Sequence, residues 1–200
     1  MPASPHITKL GIRKKLLALR EQLSADTRAA HSAAISARIV KLGIYRQAST
    51  ILGYMNFGAE FASELWIQQV LADGKKLALP RVNRHTNQLD LYWVDDLENQ
   101  LAAGLWGIRE PIVERCERLS TLNEVEFVLL PGVAFTRDGA RLGYGSGFYD
   151  KLLAHMTHQP ALAAAAFALQ IVEQIPQEST DVKVGWIITE QETIACSAEE

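Results

Sequence analysis

Residues 124–135, EVEFVLLPGVAF, constrain the fold more than any other stretch of the chain. Their apolar residues run almost without a break, where a strand with one wet face would alternate. Such a run is expected of a strand buried on both faces, the kind found in parallel sheets covered by helices. The neighbouring segments supply both partners. Residues 7–22 read as a helix, with Leu10, Leu16, Leu17 and Leu19 apolar and Lys9, Arg13, Lys14, Lys15 and Arg20 forming a basic side. Ser24 and Thr27 restart the chain into a second helix over 28–42, where Ile35, Ile39 and Leu42 share a face and Gly43 fits just past the end. STILGYMNF (49–57) reads as a strand. Ser63 is placed to cap a helix that closes at Gly74. Strands follow at 75–82, stopping near Pro80, and at 89–94. After a helix beginning at Phe148, 162–169 fits a strand by its position, and 184–190 is a last one. Strands alternating with helices predict a single-domain, three-layer α/β fold with a mainly parallel sheet. Because 89–94 has no helix before it, the sheet is expected to be mixed. The first six residues are expected to fray.

Composition removes other classes. Lys and Arg number 20 against 23 Asp and Glu, a net charge of −3, which lacks the positive balance of a nucleic-acid-coating protein. At 48% hydrophobic the chain has enough apolar residues for a packed core. The longest apolar run, residues 161–169, falls well short of the roughly 20 residues of a membrane span. The amino terminus has no apolar signal region. Cys116 and Cys196 stand far apart in no metal-binding pattern, which suits free thiols in the cytoplasm. No apolar seam calls for an obligate oligomer, so a monomer is expected. The five histidines have no metal-ligand spacing.

The chemistry concentrates in the loop after the buried strand. Gly143, Gly145 and Gly147 alternate through it, Arg141 precedes it and Asp150 follows it on the next helix. Glycines let backbone N–H groups approach an anion, an arginine pairs with phosphate, and a carboxylate can hold magnesium through one oxygen. The spacing is neither that of a Walker loop nor GxGxxG. On these grounds a phosphate-binding loop and a plain glycine-rich turn, with Asp150 compensating the helix dipole, both remain open.

The segment PGVAFTRDGARLGYGSGFYDK, from Pro131 to Lys151, resembles the 5-formyltetrahydrofolate cyclo-ligase (methenyltetrahydrofolate synthetase) pattern P-G-x-A-F-D-x-x-G-x-R-L-G-x-G-x-G-[FY]-Y-D-[RK]. Lys9 and Arg13 on the first helix, YMNFGAE (54–60), LPRV (79–82), GIREP (107–111) and IPQESTDVKVGWIITE near the end also resemble that family, in order. The resemblance implies an enzyme that uses MgATP to cyclise 5-formyltetrahydrofolate to 5,10-methenyltetrahydrofolate. It implies ATP contacts from Lys9, Arg13, Arg141, Leu142, Gly143, Tyr144, Gly145, Ser146, Gly147, Phe148 and Tyr149. Arg141 and Asp150 would be catalytic. Asp150 and Asp181 would hold Mg²⁺. Met55, Phe57, Glu60, Trp106 and Tyr149 would form the folate side. Plain alternatives stand beside several of these: core packing for Met55, Phe57, Trp106, Phe148 and Tyr149, and a turn role for Asp181. Two positions depart from the pattern, Thr136 and Gly185, where the family often carries Asp. They favour a second reading, a folate- or nucleotide-binding relative without turnover. A sugar-phosphate isomerase of similar architecture would explain neither the Arg141–Asp150 run nor the basic first helix.

Overall fold

The computed structural model describes residues 8–196. Its centre is a seven-stranded sheet in the order β11-β10-β9-β6-β1-β2-β3. The strands are β1 (Thr50–Leu52), β2 (Lys76–Asn83), β3 (Gln88–Val94), β6 (Phe127–Leu130), β9 (Ala161–Ala165), β10 (Trp186–Ile188) and β11 (Thr193–Ala195). The five inner strands are parallel, and β3 and β11 run antiparallel at the edges. The mixed sheet is therefore as the sequence predicts. Two small ribbons lie outside it: β4 (Leu101–Ala103) with β5 (Arg109–Pro111), and β7 (Ala134–Phe135) with β8 (Arg141–Leu142).

The helices are α1 (Lys9–Glu21), α2 (Ala25–Ile39), α3 (Gly43–Gln47), α4 (Glu64–Ala72), α5 (Leu97–Gln100) and α6 (Phe148–Leu153). Strand alternation sorts the core into two layers. Ile51, Phe127, Leu129 and Ile188 pack with Ile35, Ile39, Trp66 and Ile67 of α2 and α4. Leu52, Val128, Leu130 and Ile187 face the other way, with Leu152 and Leu153 of α6. A third cluster joins Leu16 of α1 to Val133 and to Ala134 and Leu142 of the β7–β8 ribbon.

Several boundaries differ from the sequence reading. The run 124–135 is two strands: Pro131 and Gly132 break it, so β7 leaves the sheet and builds a ribbon. The 49–57 strand stops at Leu52, and 53–63 becomes an irregular loop. Pro80 does not stop β2, because β1 pairs only with Lys76–Ala78, leaving one side of the strand free at the proline. Gly43 opens α3 instead of closing α2. Ser63 makes no cap bond; its buried hydroxyl accepts from Asn56 N–H at 3.1 Å. The 162–169 segment divides into β9 and a 3₁₀ turn. The fraying expected of residues 1–6 lies outside the described residues.

Gly139 fixes the β7–β8 turn that presents Arg141. Its φ is +91°, and a β-carbon there would lie 2.3 Å from the Val184 carbonyl oxygen. Gly139→Ala thus combines an unfavourable backbone region with overlap against main chain that cannot swing aside. A loss of about 3 kcal/mol is expected, read as a thermal midpoint lowered by roughly 6–12 °C. A shift under a degree would show that the turn rearranges freely.

Candidate active site

The strand order turns at β1. From β1 the chain builds outward through β2 and β3, then returns to lay β6 on the other side. Parallel sheets leave a crevice at the carboxyl ends of strands where the order reverses. Here that crevice is a cavity of about 450 Å³. Met55, Phe57 and Glu60 reach it from the loop after β1, Pro131 from the end of β6, and Arg141, Ser146 and Asp150 from the glycine loop and α6.

The loop after β1 is held by its own polar groups. Phe57 N–H donates to Glu60 Oε2 at 2.7 Å, and Ala62 N–H donates to Ser32 Oγ on α2 at 3.0 Å. Glu60 is buried, and its other oxygen, Oε1, accepts from the Tyr144 hydroxyl at 2.5 Å. Burial pushes the Glu60 carboxyl above its ordinary range, against the opposing pull of Tyr144, Phe57 N–H and the Arg20 charge. Met55 is buried, while Phe57 is 43% and Trp106 60% exposed. Trp106 is therefore no core tryptophan. It sits at a φ of +57° in the turn between β4 and β5 and lines the cavity from outside the sheet.

The glycine loop is anchored at both ends. Arg141 Nη2 donates to Asp150 Oδ1 at 2.6 Å, and the Arg141 side chain is only 4% exposed. The guanidinium is thus held by a partner nine residues on, across the loop. Arg13 Nε donates to the Gly143 carbonyl at 2.8 Å, and its guanidinium carbon lies 3.7 Å from where a Gly145 β-carbon would be. Gly145, at a φ of +118°, occupies a region that L side chains rarely adopt.

The expected residues are not all brought together. Gly143, Tyr144, Ser146, Gly147, Phe148, Tyr149 and Asp150 line the cavity with Arg141, Met55, Phe57, Glu60 and Trp106. Leu142 turns its side chain into the third core cluster, its carbonyl accepts from Val133 N–H at 2.7 Å, and it does not line the cavity. Lys9 and Asp181 meet each other at 2.8 Å, with Glu178 on the same ammonium at 2.9 Å. Burial alone would raise the Asp181 carboxyl, but the bonds from Lys9 and Glu178 N–H outweigh it and hold the group below its ordinary range. Phe148 and Tyr149 are half-buried, and Tyr149 also packs on the α6-side cluster. Among the described residues no three carboxylate, imidazole or thiol groups gather as a metal cluster.

Two cavity residues, Glu110 and Arg109, and one residue behind the cavity wall, Arg20, were given no site role in the sequence reading. Glu110, buried on β5, accepts among the described residues only a long bond from Val82 N–H, 3.4 Å. Arg109 beside it pairs with Glu64 at 3.0 Å. Arg20, buried on α1, donates to the Tyr144 hydroxyl at 2.6 Å. A signal for Arg20 existed: Arg13, Leu16 and Arg20 fall at i, i+3 and i+7, one stripe of a helix. The two departures lie away from the cavity. Thr136 is a turn residue whose hydroxyl bonds Asp138 and accepts Ala140 N–H. Gly185 donates its N–H to the Leu162 carbonyl at 3.0 Å.

A mainly parallel sheet with a cavity at its reversal point, walled by a glycine loop and an arginine–carboxylate pair, defines a doubly wound α/β protein. The comparisons narrow this. The 5-formyltetrahydrofolate cyclo-ligase family matches residues 6–190. The mouse 5-formyltetrahydrofolate cyclo-ligase is 30% identical over 190 residues, 91% of this chain and 93% of that protein. The Mycolicibacterium smegmatis enzyme of the same name is 29% identical, covering 91% and 93%. The solved structure of Aquifex aeolicus 5,10-methenyltetrahydrofolate synthetase superposes with a TM-score of 0.84 at 29% identity, over 97% of this chain and 95% of that one. The chain belongs to the 5-formyltetrahydrofolate cyclo-ligase family.

Proposed function

We propose that the protein catalyses the ATP-dependent cyclisation of 5-formyltetrahydrofolate to 5,10-methenyltetrahydrofolate, releasing ADP and phosphate. The observation that carries this is one cavity shared by a buried carboxylate, Glu60, and the Arg141–Asp150 loop, in a chain of this family.

The chemistry sets the demands. An N-formyl oxygen is a poor leaving group. Its attack on the γ-phosphorus forms an O–P bond as the bond to ADP breaks. The N10 lone pair then adds to the formyl carbon, N10 loses its proton, and phosphate leaves with the C–O electrons. Such transfers need positioning and charge stabilisation from the protein more than covalent chemistry. Arg141, Arg13 and the backbone from Gly143 to Gly147 are the groups suited to the phosphates. Glu60 suits the N–H donors of the pterin, Phe57 and Trp106 its flat faces, and Met55 its apolar edge. Lys9, whose ammonium pairs with Asp181 and Glu178, would meet the nucleotide only by sharing its charge with those carboxylates.

Magnesium fits the residues present as an ion carried largely by the triphosphate. Asp150 and Asp181 each keep one carboxylate oxygen without a partner among the described residues. These two would hold it, and when bound it supplies charge neutralisation at the phosphate oxygens. A monomeric, cytoplasmic enzyme is part of the same reading. Both cysteines are unpaired, and no described helix is long and apolar enough to cross a membrane.

The test mixes the protein with 5-formyltetrahydrofolate and MgATP and follows the near-ultraviolet absorbance of the methenyl product. Growth that requires ATP is the expected result. A flat trace with folate binding intact by calorimetry would instead make the protein a binding relative.

A further inference from the structure

We infer that Arg20 is a positioning residue for the folate pocket: acting through Tyr144, it fixes the Glu60 carboxylate and makes that carboxylate's setting depend on the glycine loop. This rests on the reading of Glu60 as the substrate carboxylate.

Arg20 is an unusual element of α1. It is 4% exposed, and among the described residues no carboxylate pairs with it directly. A buried cation without compensation is costly. The compensation arrives at one remove. Arg20 Nη2 donates to Tyr144 Oη at 2.6 Å, and Tyr144 Oη donates to Glu60 Oε1 at 2.5 Å. The guanidinium carbon also lies 5.7 Å from the centre of the Tyr144 ring. Arg20 Nε is buried with no partner, so the bond to Tyr144 is its only side-chain hydrogen bond among the described residues.

The middle member of this chain sits on the glycine loop. Tyr144 is 41% exposed and stands between Gly143 and Gly145. A loop that moves Tyr144 away strips Arg20 of its acceptor and Glu60 of a donor together. A ligand that orders the loop completes both. Binding free energies are reciprocal, so an ATP that settles the loop tightens folate, and folate tightens ATP by the same factor.

The groups facing Glu60 come from four elements: Tyr144 on the glycine loop, Arg20 on α1, Tyr54 after β1 and Tyr149 on α6. Only Arg20 among them carries positive charge at neutral pH. Removing it leaves burial less opposed, which moves the protonation of Glu60 to higher pH.

Arg20→Met and Tyr144→Phe are the test, with 5-formyltetrahydrofolate binding measured by calorimetry with and without a non-hydrolysable ATP analogue. In the unmodified protein the analogue should tighten folate binding. Either variant should weaken folate binding about tenfold or more and abolish that tightening. The acid limb of kcat/KM for folate should move to higher pH in Arg20→Met, and Arg20→Lys should restore part of the loss. The double variant should lose little more than either single one, because both act on one chain of bonds. Tyr144→Phe reads the same link if Arg20→Met does not fold. A lowered thermal midpoint with unmodified folate affinity, coupling and pH limb would make Arg20 merely structural and overturn the inference. So would an unmodified protein whose folate affinity ignores the analogue. Failure of the enzymatic reading looks different: the unmodified protein itself would make no methenyl product.

Discussion

Asp150→Asn should lower turnover by roughly two to three orders of magnitude, the range seen when a fixed charge or donor is removed from a reacting oxygen's surroundings. The substitution keeps the size of the side chain and leaves Oδ1 able to accept from Arg141 Nη2 and from Val182 N–H. The fold should therefore hold. What disappears is the negative charge opposite a guanidinium that is almost fully buried. That charge holds Arg141 across the glycine loop, and in the proposed reading its free oxygen also meets the metal that accompanies ATP. The apparent magnesium requirement should rise alongside the fall in kcat. Steady-state kinetics over a magnesium titration reads both effects, and circular dichroism guards against unfolding. Turnover near that of the unmodified protein would remove Asp150 from the catalytic machinery.

The reasons for these expectations were legible in the chain to different depths. The unbroken apolar residues of β6 announce a strand covered on both faces, and the glycines of 143–147 announce a loop, which the structure places beside the cavity. Both are local properties of consecutive residues. The break at Pro131–Gly132 is local as well, but apolar residues continue past it, so composition alone does not reveal that β7 changes partners. Ser63 has the right chemistry for a cap, yet a competing donor, Asn56 N–H, takes its hydroxyl. That competitor is supplied by the fold of the 53–63 loop. Trp106 and the β4–β5 ribbon are set by tertiary context in the same way. Lys9 and Asp181 lie 172 residues apart, and no local pattern tells that they neutralise each other. Arg20 marks the boundary between the two kinds of information. Its helical stripe with Arg13 and Leu16 is readable, but its hydrogen-bond partner is a tyrosine in a distant loop.

Glu60→Ala should weaken 5-formyltetrahydrofolate binding by about tenfold to a hundredfold, the cost of losing charge-assisted hydrogen bonds from a buried site. ATP affinity, measured without folate, should stay within about threefold, because Arg13 still holds the Gly143 carbonyl and Arg141 still holds Asp150. The same carboxylate predicts opposite pH trends for stability and function. Burial holds the Glu60 pKa above its unfolded value. Between those two values the folded chain binds more protons than the unfolded one, so this group's contribution to stability falls as pH rises through that interval and is constant above it. Folate binding needs the ionised form as acceptor, so it strengthens over the same interval. Thermal midpoints and folate affinities of the unmodified protein and Glu60→Gln, compared across the acid range, should therefore diverge in opposite directions. The amide variant should gain in relative stability as pH climbs, while the unmodified protein gains in affinity. If calorimetry instead finds ATP affinity falling in Glu60→Ala with folate affinity intact, the buried carboxylate serves the nucleotide, and the folate pocket lies on the Glu110 side of the cavity.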